Sequence, residues 1–219
     1  MAIAVDAVSA TGVDEAATTM TWAHTNNGNF ICALVVQQTN DFSGVTYAGA
    51  AMTQAVVKDS NDYQTSIWYK VNPATGTNNF VATGTNLKDK VGGGISFIQG
   101  DTSNIGATNS LILPGTTADS SLTVTTTGTG NGFVIDCILV TGTKTMVPGG
   151  SQTEIFDIPS FGAGASTASA SYQAYAGGAN PSNSWSWTGN ENGNQVGFEI
   201  IEGAAASTNP ITFPLMKVG

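Results

Sequence analysis

Residues 132–140 read GFVIDCILV and residues 30–37 read FICALVVQ. Each is a nearly continuous apolar run rich in β-branched residues. Asn131-Gly132 introduces one and Asn27-Gly28 the other, and Asn-Gly is the dipeptide of tight hairpin turns. Runs of this length and composition predict strands sheltered on both faces. Alternation then places Phe30, Cys32, Leu34 and Val36 on one face, and Phe133, Ile135, Cys137 and Leu139 on its counterpart.

Outward from these runs the pattern stays that of strands. TMTWAH puts Met20, Trp22 and His24 on one side, and SLTVTTT alternates with Leu122 and Val124 inward. GVTYAG, AMTQAVV, TSIWYKV, NNFVAT, GGGISFIQ, QTEIFD, ASASYQAY, SWSWT and VGFEIIE follow the same grammar. Clusters of Gly, Asn, Ser and Pro separate them roughly every 10–15 residues. No helical periodicity lasts beyond about two turns. The fold class is therefore all-β: a single antiparallel β-sandwich, jelly-roll-like, over residues 1–203. Residues 204–219 differ. AAASTNP has linker composition, and ITFPLMKV is apolar with a Pro that would interrupt a central ladder. This extension is an edge strand or an assembly arm, with Ile211, Phe213 and Leu215 as its apolar contacts.

Several segments resemble a β-sandwich module that recurs in structural proteins of phages and prophages and in bacterial surface proteins. The resemblance runs through TMTWAH, FICALVV, GVTYAGAAMTQ, SIWYKVNPATGTNNFVAT, GGGISFIQG, GFVIDCILV, SYQAYAGGANPSNSWSWTG and VGFEIIEG. Its turn residues fall on Gly49, Pro73 and Gly76, and its aromatic ones on Trp22, Trp68, Tyr69 and Trp187. It spans about residues 2–203 and implies a fold. It carries no catalytic motif.

Composition restricts the job. Charged residues make up 10% of the 219 residues, against about 25% in an ordinary globular domain. Six Lys and no Arg face 15 acidic residues, a net charge of −9. Nucleic acid and anionic membrane surfaces are excluded as partners, because both are bound through clustered basic residues. Phosphoryl transfer needs basic clamps and is disfavoured too. The first residues, MAIAVDAVSA, lack the basic start and apolar core of an export signal.

The search for chemistry returns little. His24 is the sole imidazole, and no Gly-x-Ser-x-Gly elbow surrounds a serine. Cys32 and Cys137 lie mid-strand and read as small buried hydrophobes. Glu154, Asp157, Glu191, Glu199 and Glu202 are candidates for a glycosidase pair, but no two can be placed on one cleft, and solubilising surface carboxylates explain them better. Glu199 alternates with Phe198 and Ile200, so it is expected on the outer face of the last strand. Asp136, inside the apolar run, is expected to face solvent from the outer side of its sheet. Asp59, Asn61 and Asp62 concentrate oxygen ligands as calcium sites do, yet a turn closed by Asx hydrogen bonds accounts for them. No metal or cofactor is called for.

Trp185, Trp187, Tyr172 and Tyr175 form the densest aromatic region. Core packing is one role for them; a surface platform for sugar stacking or protein contact is the other. The expectation for function is a non-enzymatic virion structural protein, either a capsid decoration protein or a fibre- or tail-associated sandwich. Its partners would be other virion proteins and itself, as a homo-oligomer. The alternative is an adhesion module that binds cell-surface glycans. With so few cations, assembly contacts should rest on β-edge hydrogen bonds, Thr and Asn contacts and apolar patches, and so respond weakly to salt.

Overall fold

A computed structural model describes residues 2–9, 12–38, 42–60, 63–162 and 165–203. The assembly-arm residues Ile211, Phe213 and Leu215 lie outside that set. The described chain is all strand and turn, an antiparallel β-sandwich as the sequence predicts.

The first half carries β1 (Ala4–Val8), β2 (Gly12–Asn26), β3 (Phe30–Gln37), β4 (Phe42–Tyr47), β5 (Ala50–Ala51), β6 (Thr53–Ser60), β7 (Tyr63–Val71) and β8 (Gly76–Ile98). They form one sheet in the order β5-β4-β8-β3-β7-β6, with β1 and β2 also paired to β8. The second half carries β9 (Thr108–Thr123), β10 (Gly132–Val140), β11 (Val147–Pro148), β12 (Thr153–Phe161), β13 (Ser166–Tyr175) and β14 (Ser182–Ile201). Their order is β11-β14-β10-β13-β12, with β9 on β14. Each sheet thus comes from one contiguous half of the chain.

The two halves repeat one another. The equivalences are β2 with β9, β3 with β10, β4 with β11, β6 with β12, β7 with β13 and β8 with β14. Three ladders share their register under a single shift of 103 residues. Ala33 faces Trp68 on one side and Gly94 on the other, while Asp136 faces Ser171 and Gly197. Val45 faces Ala82, as Pro148 faces Trp185. The β2–β8 and β9–β14 ladders, and the β6–β7 and β12–β13 ladders, keep the order with altered registers. The halves meet reciprocally: β6 lies against β14, and β12 lies against β8. This is the geometry of an isologous dimer built within one chain.

The central core lies between the sheets. Phe30, Cys32, Leu34, Val36, Ile95 and Phe97 from the first sheet meet Ile135, Cys137, Leu139, Val196, Phe198 and Ile200 from the second. Burial of each large side chain contributes roughly 1.5–3 kcal/mol. The outer faces of the two sheets are covered as well, because β8 and β14 are long enough to serve two layers. Met20, Trp22, Tyr47, Trp68 and Phe80 pack over Ile31, Ala33 and Val35 in the first half. Leu113, Met146, Trp185 and Trp187 pack over Ile138 and Val140 in the second.

Glycine is required where these layers approach. A Cβ on Gly94 would sit 2.4 Å from the Phe80 ring, and one on Gly93 would sit 2.7 Å from Phe156 on the opposite face. The Asn27-Gly28 turn is pressed on β8 in the same way, since a Cβ at Gly28 would lie 2.2 Å from the Phe97 carbonyl oxygen. The Asn26 amide closes that turn through Gly28 N–H and Gly28 C=O.

Candidate functional site

The aromatic quartet does not form an exposed platform. Trp185, Trp187 and Tyr175 are buried, at 1%, 7% and 6% exposure. Tyr172 is half-buried and meets Phe133 edge-on, with ring centroids 6.0 Å apart. The reason is the folding of β14. Its first part lies over the outer face of β10, so the alternating indoles of SWSWT point inward onto Ile138 and Val140.

Asp136 corrects a second expectation. It does not face solvent; it is fully buried beneath the same layer. Its carboxylate accepts four hydrogen bonds. Oδ1 receives Ser171 Oγ and Asn183 Nδ2, the latter at 2.9 Å. Oδ2 receives Trp185 Nε1 and Gln195 Nε2, both at 2.7 Å. No cation is among them. Burial raises the carboxyl pKa above the ordinary value, and the four donors act against that rise. The polar positions come from three strands, so pairing alone brings them together. Their trace in the sequence is weak: an acid inside an apolar run, and Ser and Asn at alternating places in ASASY and SNSW.

Glu199 corrects a third. It too is buried rather than outward. It accepts Ala107 N–H at 2.8 Å, Thr127 N–H at 2.9 Å, Gly128 N–H at 3.1 Å, Thr127 Oγ1 at 2.9 Å and the Tyr175 hydroxyl at 2.5 Å. Burial pushes its pKa up, but the donors from Ala107, Tyr175, Thr127 and Gly128 outweigh this and hold it below the ordinary range. Tyr175 is raised in turn by burial and by its bond to Glu199. Glu199 therefore clamps two loops onto β14.

The remaining carboxylates are dispersed. Glu191 meets Lys144 at 2.6 Å and accepts Thr141 Oγ1 at 2.6 Å. Glu202 accepts Ile3 N–H at 3.2 Å. Glu154 and Asp157 share edge strand β12, where Asp157 accepts Ser169 Oγ at 2.7 Å. Burial and then the neighbouring Asp157 charge raise the Glu154 pKa. The two lie on a strand surface, not across a cleft.

His24, Ser96 and Asp6 come together in the first half. His24 Nε2 lies 3.0 Å from Ser96 Oγ, which donates to Asp6 Oδ2 at 2.8 Å. That order is wrong for nucleophilic catalysis, in which the imidazole takes the serine proton and the acid orients the imidazole. Here the serine proton goes to the acid, so the imidazole donates. Burial lowers the His24 pKa to about 4, with the Asp6 charge working against it. The ring is neutral at neutral pH.

Cys32 and Cys137 are free and buried. Burial raises both thiol pKa values, which removes thiolate reactivity. Asp59 accepts Gln64 Nε2 at 2.8 Å; Asn61 and Asp62 lie outside the described residues. Among the described residues no group of three His, Cys, Asp or Glu side chains could hold a metal. No helix of the described residues is long and apolar enough to cross a membrane. An open depression of about 350 Å³ is lined by Asp119, Val147, Pro148, Ser184, Trp185 and Ser186. It presents neither a catalytic group nor an exposed aromatic face.

No family model and no curated protein sequence matches the chain. Among solved structures, the chain is similar to one described as "a putative secreted protein from Eubacterium rectale". The two share 7% identity over 83% of this chain and 68% of that one, with a TM-score of 0.23. A likeness that shallow carries no argument about this chain.

Proposed function

We propose that this chain is a non-enzymatic structural protein that works by protein–protein assembly, as a virion β-sandwich of the decoration, fibre or tail-associated kind. One observation carries the non-catalytic part. Asp136, Glu199, His24, Ser96, Cys32 and Cys137 are buried, most of them engaged in hydrogen bonds that join strands or loops, while the less buried acids Glu154, Asp157, Glu191 and Glu202 are dispersed. An active site needs such groups at a cleft with room for a reacting atom. The virion part rests on the sequence resemblance.

The surface supplies contacts of the kind assembly uses. Val8, Ile98, Ile105, Ile112 and Val147 are each 36–55% exposed apolar side chains. Thr25 and Thr77 pair hydroxyl to hydroxyl at 2.8 Å on the outer face. Contacts of this composition are insensitive to ionic strength. Light scattering across salt concentrations, with saturable binding to empty capsids, tests the reading. Oligomers or capsid binding that persist at high salt are expected. Dissociation by a modest rise in salt, or a monomer that ignores capsids and binds on a glycan array, would overturn it in favour of the adhesion reading.

A further inference from the structure

His24 joins β2 to three other strands of the first half. It is the only histidine of the chain and is 2% exposed. Its ring reaches β8 and, through it, β1: Nε2 lies 3.0 Å from Ser96 Oγ, and Ser96 donates to Asp6 Oδ2 at 2.8 Å. Its carbonyl reaches β4, accepting the Tyr47 hydroxyl at 3.3 Å. Asp6 is the unpaired residue of a bulge in β1, where the register slips between Val5 and Ala7, and a bulge re-aims a side chain. The same Oδ2 accepts Asn27 N–H at 2.7 Å, so the turn between β2 and β3 hangs on this carboxylate too.

The other ring nitrogen is left alone. With Nε2 donating to Ser96, Nδ1 carries the lone pair, and it has no hydrogen-bond partner among the described residues. The ring lies beside Phe80 and Tyr47, at centroid distances of 5.5 and 6.4 Å. The titratable groups that face it are Asp6 from β1 and Tyr47 from β4. β8 presents Ser96 and Phe80, and the inward neighbours on β2 itself, Trp22 and Asn26, are uncharged. A proton added at Nδ1 creates a buried cation whose new N–H meets no acceptor, and burial penalises both. Asp6 offsets this only from a distance, because Ser96 stands between it and the ring.

We propose that His24 is an acid-operated latch: a proton taken at Nδ1 unseats the imidazole and releases β1 and the Asn26–Gly28 turn from the first sheet. Burial holds the pKa in the fold at about 4, below the ordinary 6.5, with the Asp6 charge working against the fall. The opened form therefore binds the proton better. Closure is complete above about pH 6.5 and weakens as pH falls toward 4. Opening exposes the Tyr47 and Phe80 rings beside the latch. This inference is independent of the assembly reading.

Nitrogen-15 NMR of the sole imidazole and hydrogen exchange on the full chain test it. The neutral Nε2–H tautomer is expected at pH 7, with a titration midpoint near 4. Asp6→Asn removes the facing negative charge and should lower the midpoint further. Protection of the β1 and Asn27 amides, corrected for intrinsic exchange, should fall about ten-fold or more from pH 7 to pH 5, while β10 keeps its protection. His24→Gln keeps a donor toward Ser96 but cannot titrate, and should abolish that fall. A midpoint near 6.5, an Nδ1–H tautomer at pH 7, protection that stays constant or is lost equally in β10, or a fall that persists in His24→Gln would each overturn the proposal.

Discussion

The same position of the same fold is filled in opposite ways in the two halves. Beneath the outer layer of the first half lie Ala33, Trp68 and Phe80, an apolar plug to which Trp22 adds a stacked ring 4.9 Å from Phe80. The 103-residue shift takes these three positions to Asp136, Ser171 and Asn183. There the space is filled by a carboxylate and its donors. Aromatic volume closes one layer by dispersion and area burial. A hydrogen-bonded acid closes the other, and holds only while each donor keeps its acceptor. A second pair of equivalent positions diverges similarly. Ser96 corresponds to Glu199. In the second half the acid sits on the strand itself. In the first it comes from Asp6 on β1 and reaches the site through Ser96. The architecture demands that these places be filled and joined, and leaves the chemistry of the filling open.

The sharpest way to break this comparison is to remove the acid. Asp136→Ala strands four buried donors and should destabilise the protein by about 3–5 kcal/mol, read by urea denaturation. A loss under about 1 kcal/mol would mean the polar plug is dispensable. Next comes Glu199→Gln, expected to cost about 2 kcal/mol through weakened charge-assisted bonds.

The two acids should also respond oppositely to pH. Glu199 is held below its ordinary pKa in the fold. Its contribution is present above the unfolded carboxylate pKa and is lost as pH falls through the folded value. Asp136 is raised. Its contribution is full below the unfolded pKa and is lost as pH rises through the folded value. Stability curves of Glu199→Gln should therefore flatten on the acid side, and those of Asp136→Asn above it. The same slope for both variants would refute the contrast.

Gly94→Ala should cost about 1–3 kcal/mol by overpacking against Phe80; thermal melting reads it, and an unchanged midpoint would show that the layers are not in close contact. The smallest effect belongs to the ion pair. Lys144→Ala breaks the contact with Glu191 at the loop end of the second half. It should change stability by no more than about 1 kcal/mol and less in salt.

Local pattern made the strands legible. Apolar runs, alternation and Asn-Gly turns located the two central strands and most of their neighbours, because pleat and turn geometry act over a few residues. The core assignment of Cys32 and Cys137 followed from that parity. The errors share one cause. Parity separates the two faces of a strand but does not say which face another layer covers. Parity points Asp136 and Glu199 outward because their neighbours point inward, and a second layer from β14 and its flanking loops closes over them. Of the two roles open to Trp185, Trp187 and Tyr175, the same covering layer selects core packing.

What the sequence by itself determined is the fold class, the central strands and turns, and the classes of partner that six lysines and no arginine disfavour. Tertiary structure alone decided the duplication and the polar plug. The 103-residue repeat is one of register and topology. Side chains at equivalent places share little beyond such pairs as Phe30 with Phe133, Tyr69 with Tyr172 and Gly94 with Gly197. Backbone hydrogen bonds impose that register whatever the side chains are. The donors of Asp136 lie 35 to 59 residues away along the chain, and only strand pairing brings them within reach.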